Sequence, residues 1–168
     1  MKQAGDIGAV GVVVPAAYGM FSKRLPPFTP SRSEEEDQEV LLDSLTRLDR
    51  VGREVGTRLL LEPLNRYEDH MLNRLADAAR LIELGHFSAV GITADFFHMN
   101  IEEADLGESI RQSQDWIRHV HLADSHRYQP GDAHLDFIPG FRALKEMQYD
   151  GYMALECRIL GEPEQGVP

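Results

Sequence analysis

Short apolar runs ending in a carboxylate or an imidazole recur roughly every thirty residues along this chain. The runs read Thr57-Arg-Leu-Leu-Leu-Glu62, Val90-Gly-Ile-Thr-Ala-Asp95, Ile117-Arg-His-Val-His121 and Tyr152-Met-Ala-Leu-Glu156. Between them the apolar residues change to a helical spacing, as at Leu72, Leu75, Ala76, Ala79 and Ile82. Strands alternating with helices predict a parallel α/β fold, because a parallel pair needs a long crossover between its strands. When such units curl into a barrel, the C-terminal ends of all strands meet on one face. Residues far apart in sequence then converge on one point.

A fifth strand is expected at Ala9-Val-Gly-Val-Val-Val-Pro15, a continuous β-branched run of the kind buried on both faces. Ser33-Glu-Glu-Glu36 forms a capping box with carboxylates at the positive end of a helix. Val40, Leu41, Leu45, Leu48 and Val51 supply the buried stripe of that helix. Gly85 is the expected stop of the next helix, and further helices are expected from Leu106 to Trp116 and from Phe141 to Met147. Tyr149-Asp-Gly151 turns into the last strand. The stretch from Ala16 to Arg32, with Pro26, Pro27, Pro30, Tyr18, Phe21 and Phe28, reads as a long functional loop. The tail from Gly161 to Pro168 has too few apolar residues to pack alone.

Five strand–helix units in 168 residues fall short of the eight units and about 250 residues of a closed barrel. They predict either an open sheet or part of a larger barrel, and the second is the reading taken, with residues 1–168 as one partial barrel domain. A net charge of −11 with no basic stripe argues against nucleic acid as a partner. No apolar run approaches the length needed to span a bilayer. Cys157 is the single cysteine and Met1-Lys-Gln-Ala-Gly5 lacks a charged-then-apolar leader, so the expected compartment is the cytoplasm.

Glu62, Asp95, His121 and Glu156 form an oxygen-rich set suited to one hard or borderline divalent ion, Mn²⁺ foremost, with Mg²⁺ or Co²⁺ as alternatives. Structural zinc prefers sulfur and nitrogen. Three carboxylates leave the site with residual negative charge after binding a dication, so ligand protonation competes with the metal at low pH.

Glu62-Pro-Leu-Asn-Arg-Tyr-Glu68, Asp95-Phe-Phe-His-Met-Asn-Ile-Glu-Glu103 and His121-Leu-Ala-Asp-Ser-His-Arg127 with Pro130-Gly131 resemble the motifs of the ketose 3-epimerases. That group, typified by D-tagatose 3-epimerase, lies within the xylose-isomerase-like TIM barrels of sugar isomerases. Leu135-Asp-Phe137 and Tyr149 to Glu156 extend the likeness over nearly the whole chain. The resemblance implies an incomplete (β/α)8 barrel: strands four to eight, with the first three units and the last helix absent. It implies an isomerase that epimerises a ketose at C3 through a metal-bound cis-enediolate. Glu62 and Glu156 act as acid and base, and Glu62, Asp95, His121 and Glu156 hold the metal. Glu68, His98 and Arg127 fall where the family binds sugar oxygens. The implied partner is a sugar or sugar phosphate, with a homo-oligomer for the complete protein.

Hydroxypyruvate isomerase and inosose dehydratase chemistry remain open on such a barrel, as does an inactive metal-binding fragment. A DNA-repair endonuclease would want more histidines and a basic face. His119 reads as a deeper interior residue rather than a ligand, and His70, His86, His126 and His134 as solvated. For Asp124, orienting a ligand and capping the following loop stand even; for Asn65 and Arg66, a pocket role and loop stabilisation are not separated. Two positions depart from the family pattern: Ala133 replaces a permissive glycine, and Cys157-Arg158 follows Glu156 where tagatose-type members are apolar. An arginine there suits a phosphate or carboxylate on the substrate, or faces solvent.

Overall fold

The structure, a computed structural model, describes residues 1–17 and 30–161. Most of the loop from Ala16 to Arg32, and the tail beyond Gly161, therefore lie outside the described residues. Five strands, β1 (Gly11–Val14), β2 (Arg58–Leu61), β3 (Val90–Asp95), β4 (Ile117–Leu122) and β5 (Tyr152–Leu155), pair in sequence order. Every pairing is parallel. Helices α1 (Lys2–Asp6), α2 (Glu34–Val55), α3 (Leu75–Gly85), α4 (Phe96–Glu102), α5 (Leu106–Gln112) and α6 (Ile138–Glu146) complete an open half-barrel. No described helix is long and apolar enough to cross a membrane.

The capping box forms as expected: Ser33 Oγ accepts from Glu36 N–H, and Glu36 Oε2 accepts from Ser33 N–H at 2.8 Å. Gly56 closes α2 in the left-handed region at φ 67°. Leu41 and Leu45 of α2 are buried against β2, each worth about 1.5–3 kcal/mol of transfer free energy. Val40, expected in that stripe, is instead 45% exposed. Asp49, buried in the same helix, accepts from Ser88 and Ala89 N–H at 2.8 and 2.7 Å, tying α2 to the turn before β3.

Gly85 is the last residue of α3, as expected, and His86 caps it in the left-handed region at φ 52°. Two features differ from expectation. The helix expected from Leu106 to Trp116 stops at Gln112, and Ser113 caps it with a buried backbone turn. Helix α4 was not anticipated at all. It starts because Asp95 Oδ1 accepts from Phe97 N–H at 2.8 Å and His98 N–H at 3.4 Å, turning the chain sharply at the end of β3.

All six residues of β3 are buried, whereas β1, the run expected to be buried on both faces, is only half-buried because it lies at an edge of the sheet with a single neighbouring strand. β5 at the other edge is the opposite of β3: Tyr152, Met153 and Leu155 are 71%, 46% and 42% exposed. The core lies between β2–β4 and the helices α2, α3 and α5, and the strand C-termini carry the carboxylates above it.

Candidate metal centre

Four strand ends build the site. Asp95 closes β3 and pairs in register with His121 in β4, which pairs with Ala154 in β5. Glu62 follows β2, its N–H donating to Val14 O at 3.0 Å. Glu156 follows β5, its N–H donating to Leu122 O at 3.2 Å. The parallel ladder thus delivers all four side chains to one level, and one donor atom from each lies within 4.8 Å of the others. This is the set expected from the sequence.

His121 Nδ1 stands at the centre, 2.7 Å from Glu62 Oε1, 2.6 Å from Glu156 Oε2 and 3.6 Å from Asp95 Oδ2. Burial alone would lower the imidazole pKa, but the three carboxylates outweigh it and push it up to about 11. Burial raises the Glu62 pKa. Asp95 is also buried, yet the His121 hydrogen bond and the Arg127 charge hold it well below the carboxylate range. Glu156, half-exposed, is lowered chiefly by its hydrogen bond to His121. Three carboxylate oxygens and one imidazole nitrogen around a single point, in a mostly buried pocket that draws in positive charge this strongly, fit one hard or borderline divalent cation.

Arg127 completes the electrostatics. Its Nη1 donates to Asp95 Oδ2 at 2.7 Å and its Nη2 to Glu156 Oε2 at 2.8 Å, while its guanidinium lies 4.7 Å over the Phe97 ring. A dication leaves three carboxylates with one negative charge, and Arg127 cancels it. The residue sits at φ 65°, a conformation that must be held from outside. Arg127 N–H donates to Asp124 O and Arg127 O accepts from Arg158 N–H, both at 2.9 Å.

The even choice over Asp124 is decided by its partners. Its carboxylate is fully buried and accepts from four backbone N–H groups, Ser125, Gly131, Ala133 and Leu135, at 2.7–3.1 Å. Burial opposes ionisation, but these four donors bring its pKa down to about 2. Asp124 therefore caps and folds the loop that carries Arg127. Gly131, at φ 91°, supplies the positive-φ position of that loop, so Ala133 needs none.

His98 is buried on α4, with Nε2 4.0 Å from Asp95 Oδ2. Burial lowers its pKa. Glu68 reaches it through Asn65, whose Nδ2 donates to Glu68 Oε1 at 3.0 Å. His119 packs edge-on against His121 at 4.9 Å between ring centroids. It is half-buried and lines an open hollow of about 360 Å³ with Leu60 and the exposed Tyr152, a shallower position than the deep interior one expected of it. His126, His134 and His86 are exposed as expected, whereas His70 is half-buried and bonds Asp37 Oδ2 through Nε2 at 3.2 Å. Arg158 is exposed.

Some contributors escaped the sequence. Glu102 is buried and grips Arg66 through its N–H, Nε and Nη2 at 2.7, 2.9 and 3.0 Å, pinning the loop after Glu62. Phe97 supports Arg127. The one available signal was Asp95 preceding a helix-compatible segment, an N-cap pattern masked by the apolar pair that follows it.

The whole chain, residues 1–168, matches the family described as Xylose isomerase-like TIM barrel. It is 48% identical over 162 residues to the 3-dehydro-D-guloside 4-epimerase of Escherichia coli K12, covering 96% of this chain and 62% of that protein. It is 32% identical to the D-psicose 3-epimerase of Enterocloster bolteae over 84% of this chain and 47% of that protein. The crystal structure of the E. coli 3-keto-D-glucoside 4-epimerase superposes with a TM-score of 0.91 at 47% identity, over 98% of this chain and 63% of that one. The chain thus spans about half to three fifths of the length of these relatives.

Proposed function

The chain belongs to the xylose isomerase-like TIM-barrel family, and from that premise we propose that it carries the metal-holding half of a sugar epimerase. The reading treats residues 1–168 as a single partial barrel domain. The reaction proposed is inversion of a carbon beside a ketone. The observation that carries it is the placement of Glu62 and Glu156 on either side of His121, within 2.7 Å of one nitrogen, at converging strand ends.

Glu62, Asp95, His121 and Glu156 are the residues proposed to hold a divalent cation, Mn²⁺ first among the alternatives. When bound, the cation polarises the ketone and stabilises negative charge that develops on its oxygen. One of the two glutamates removes the proton beside the ketone, and the other returns a proton to the opposite face of the resulting enediolate. Both must lie within hydrogen-bond reach of that carbon's proton positions, and rigid strand ends keep them there. Arg127, His98 and Glu68 are the proposed contacts to sugar oxygens.

Two substrate classes share this chemistry. A ketose carries its ketone at C2 and inverts at C3; a 3-dehydro glycoside carries it at C3 and inverts at C4. The higher identity to the 3-dehydro-D-guloside 4-epimerase favours the second class over a free ketohexose. The test is proton exchange in deuterium oxide with a panel of keto sugars and 3-dehydro glycosides. The reading expects deuterium at the inverted carbon and an epimeric product. Aldose–ketose exchange or loss of water would replace it with hydroxypyruvate-isomerase or inosose-dehydratase chemistry.

A further inference from the structure

We propose that Asn65 is a positioning residue that locks His98 in its Nε2–H tautomer, making His98 a hydrogen-bond donor to a sugar oxygen. This rests on the proposed epimerase reading for the identity of the oxygen, but the tautomer itself follows from contacts on the protein alone.

Asn65 is 2% exposed and uses its oxygens and nitrogens for different ends. The oxygens build the turn after Glu62: Asn65 O accepts from Glu68 and Asp69 N–H at 2.9 and 3.0 Å, and Oδ1 accepts from Tyr67 N–H at 3.0 Å. With Oδ1 committed to a backbone donor, the amide orientation is fixed and Nδ2 must face the other way. There it meets Glu68 Oε1 at 3.0 Å and His98 Nδ1 at 2.9 Å. Asn65 N–H also donates to the same His98 Nδ1 at 3.1 Å. A backbone N–H cannot accept, so His98 Nδ1 is held as an acceptor by two donors. A neutral ring whose Nδ1 accepts carries its proton on Nε2.

Nε2 faces the carboxylate cluster, yet at 4.0 Å from Asp95 Oδ2 it makes no hydrogen bond there. Among the described residues its proton therefore has no hydrogen-bond acceptor and is available to a group that enters the site. The arrangement resembles the way a metal-binding histidine has its tautomer set by a bond on its far nitrogen, applied here to a residue beside the ligands. Glu68 takes the second Nδ2 proton, so one amide aligns both of the side chains expected at the sugar.

Asn65→Asp separates the two duties, because the carboxylate keeps the oxygens of the turn and puts an acceptor where the donor was. The experiment is ¹⁵N NMR of histidine-labelled, Mg²⁺-loaded protein, with the His98 signals identified by their loss in His98→Gln. Wild type should show an unprotonated, pyridine-like Nδ1 and a protonated Nε2. Asn65→Asp should add a proton at Nδ1 and lower kcat/KM by about 10- to 100-fold; because the new carboxylate also faces Glu68 and costs stability, the His98 spectrum of the folded variant is the deciding readout. A protonated Nδ1 in wild type would overturn the proposal, as would an unchanged His98 spectrum in Asn65→Asp. The expected spectra on a protein that exchanges no keto-sugar proton would uphold the tautomer lock and overturn the epimerase reading instead.

Discussion

Three of the four clustered side chains and the fourth stand in different surroundings. Glu62, Asp95 and His121 come from the central strands, and their side chains are 8%, 0% and 10% exposed. Glu156 follows the edge strand β5 and is 49% exposed, tethered by His121 and Arg127. The central three are therefore part of the core as well as of the site. Asp95 alone accepts two N–H groups to start α4 and faces His121 and Arg127 with its other oxygen. Glu156 has a proposed chemical duty and little structural one, its side chain pairing with His121 and Arg127. Function and stability should separate at the edge and coincide at the centre.

The largest effect tests that separation. Glu156→Gln should lower solvent-proton exchange by about 10²- to 10⁴-fold with the unfolding midpoint near wild type. Asp95→Asn should abolish the same exchange and also cost about 1 kcal/mol or more of stability, since it weakens the α4 cap. Deuterium uptake and denaturant unfolding on both variants read this directly. Equal losses of stability in the two would erase the distinction between centre and edge.

Next comes pH. The folded pKa of His121 is raised to about 11, above the usual value of about 6.5. In metal-free protein, the stability it contributes is complete below about pH 6.5 and fades as pH climbs towards 11. A cation needs the same nitrogen unprotonated, so metal binding should release a proton and tighten by up to about tenfold per pH unit across neutrality. Calorimetry in buffers of different ionisation enthalpy measures that proton. An affinity independent of pH between 6 and 8 would mean that the cation does not displace the proton on His121 Nδ1.

A smaller effect belongs to the loop that serves both regions. Asp124→Asn removes charge from four backbone hydrogen bonds and should cost about 2 kcal/mol. The wild-type pKa is depressed to about 2, so this contribution is present above about pH 4 and is lost as pH falls through 2. Acid unfolding of the variant should lack that component.

The contrast between centre and edge also marks what the amino-acid pattern could reveal. The four clustered side chains were legible because a strand-end position repeats with the β/α period. Asn65 and Asp124 were left undecided, since each acts through backbone N–H groups that only the folded loop brings to it. Helix α4 was hidden because Phe96 and Phe97 prolong the apolar signal of β3, and a side-chain cap overrides that signal. Val40 and His70 were misjudged for the complementary reason: burial on a helix flank, or beside Asp37, depends on neighbours from other segments.

Metal content is the most direct test of the central claim. Protein purified with Mn²⁺ and freed of loose ions should retain about one ion per chain by elemental analysis, and His121→Ala should lose it. A wild type without bound metal, or a His121→Ala variant that keeps its ion, would contradict the account.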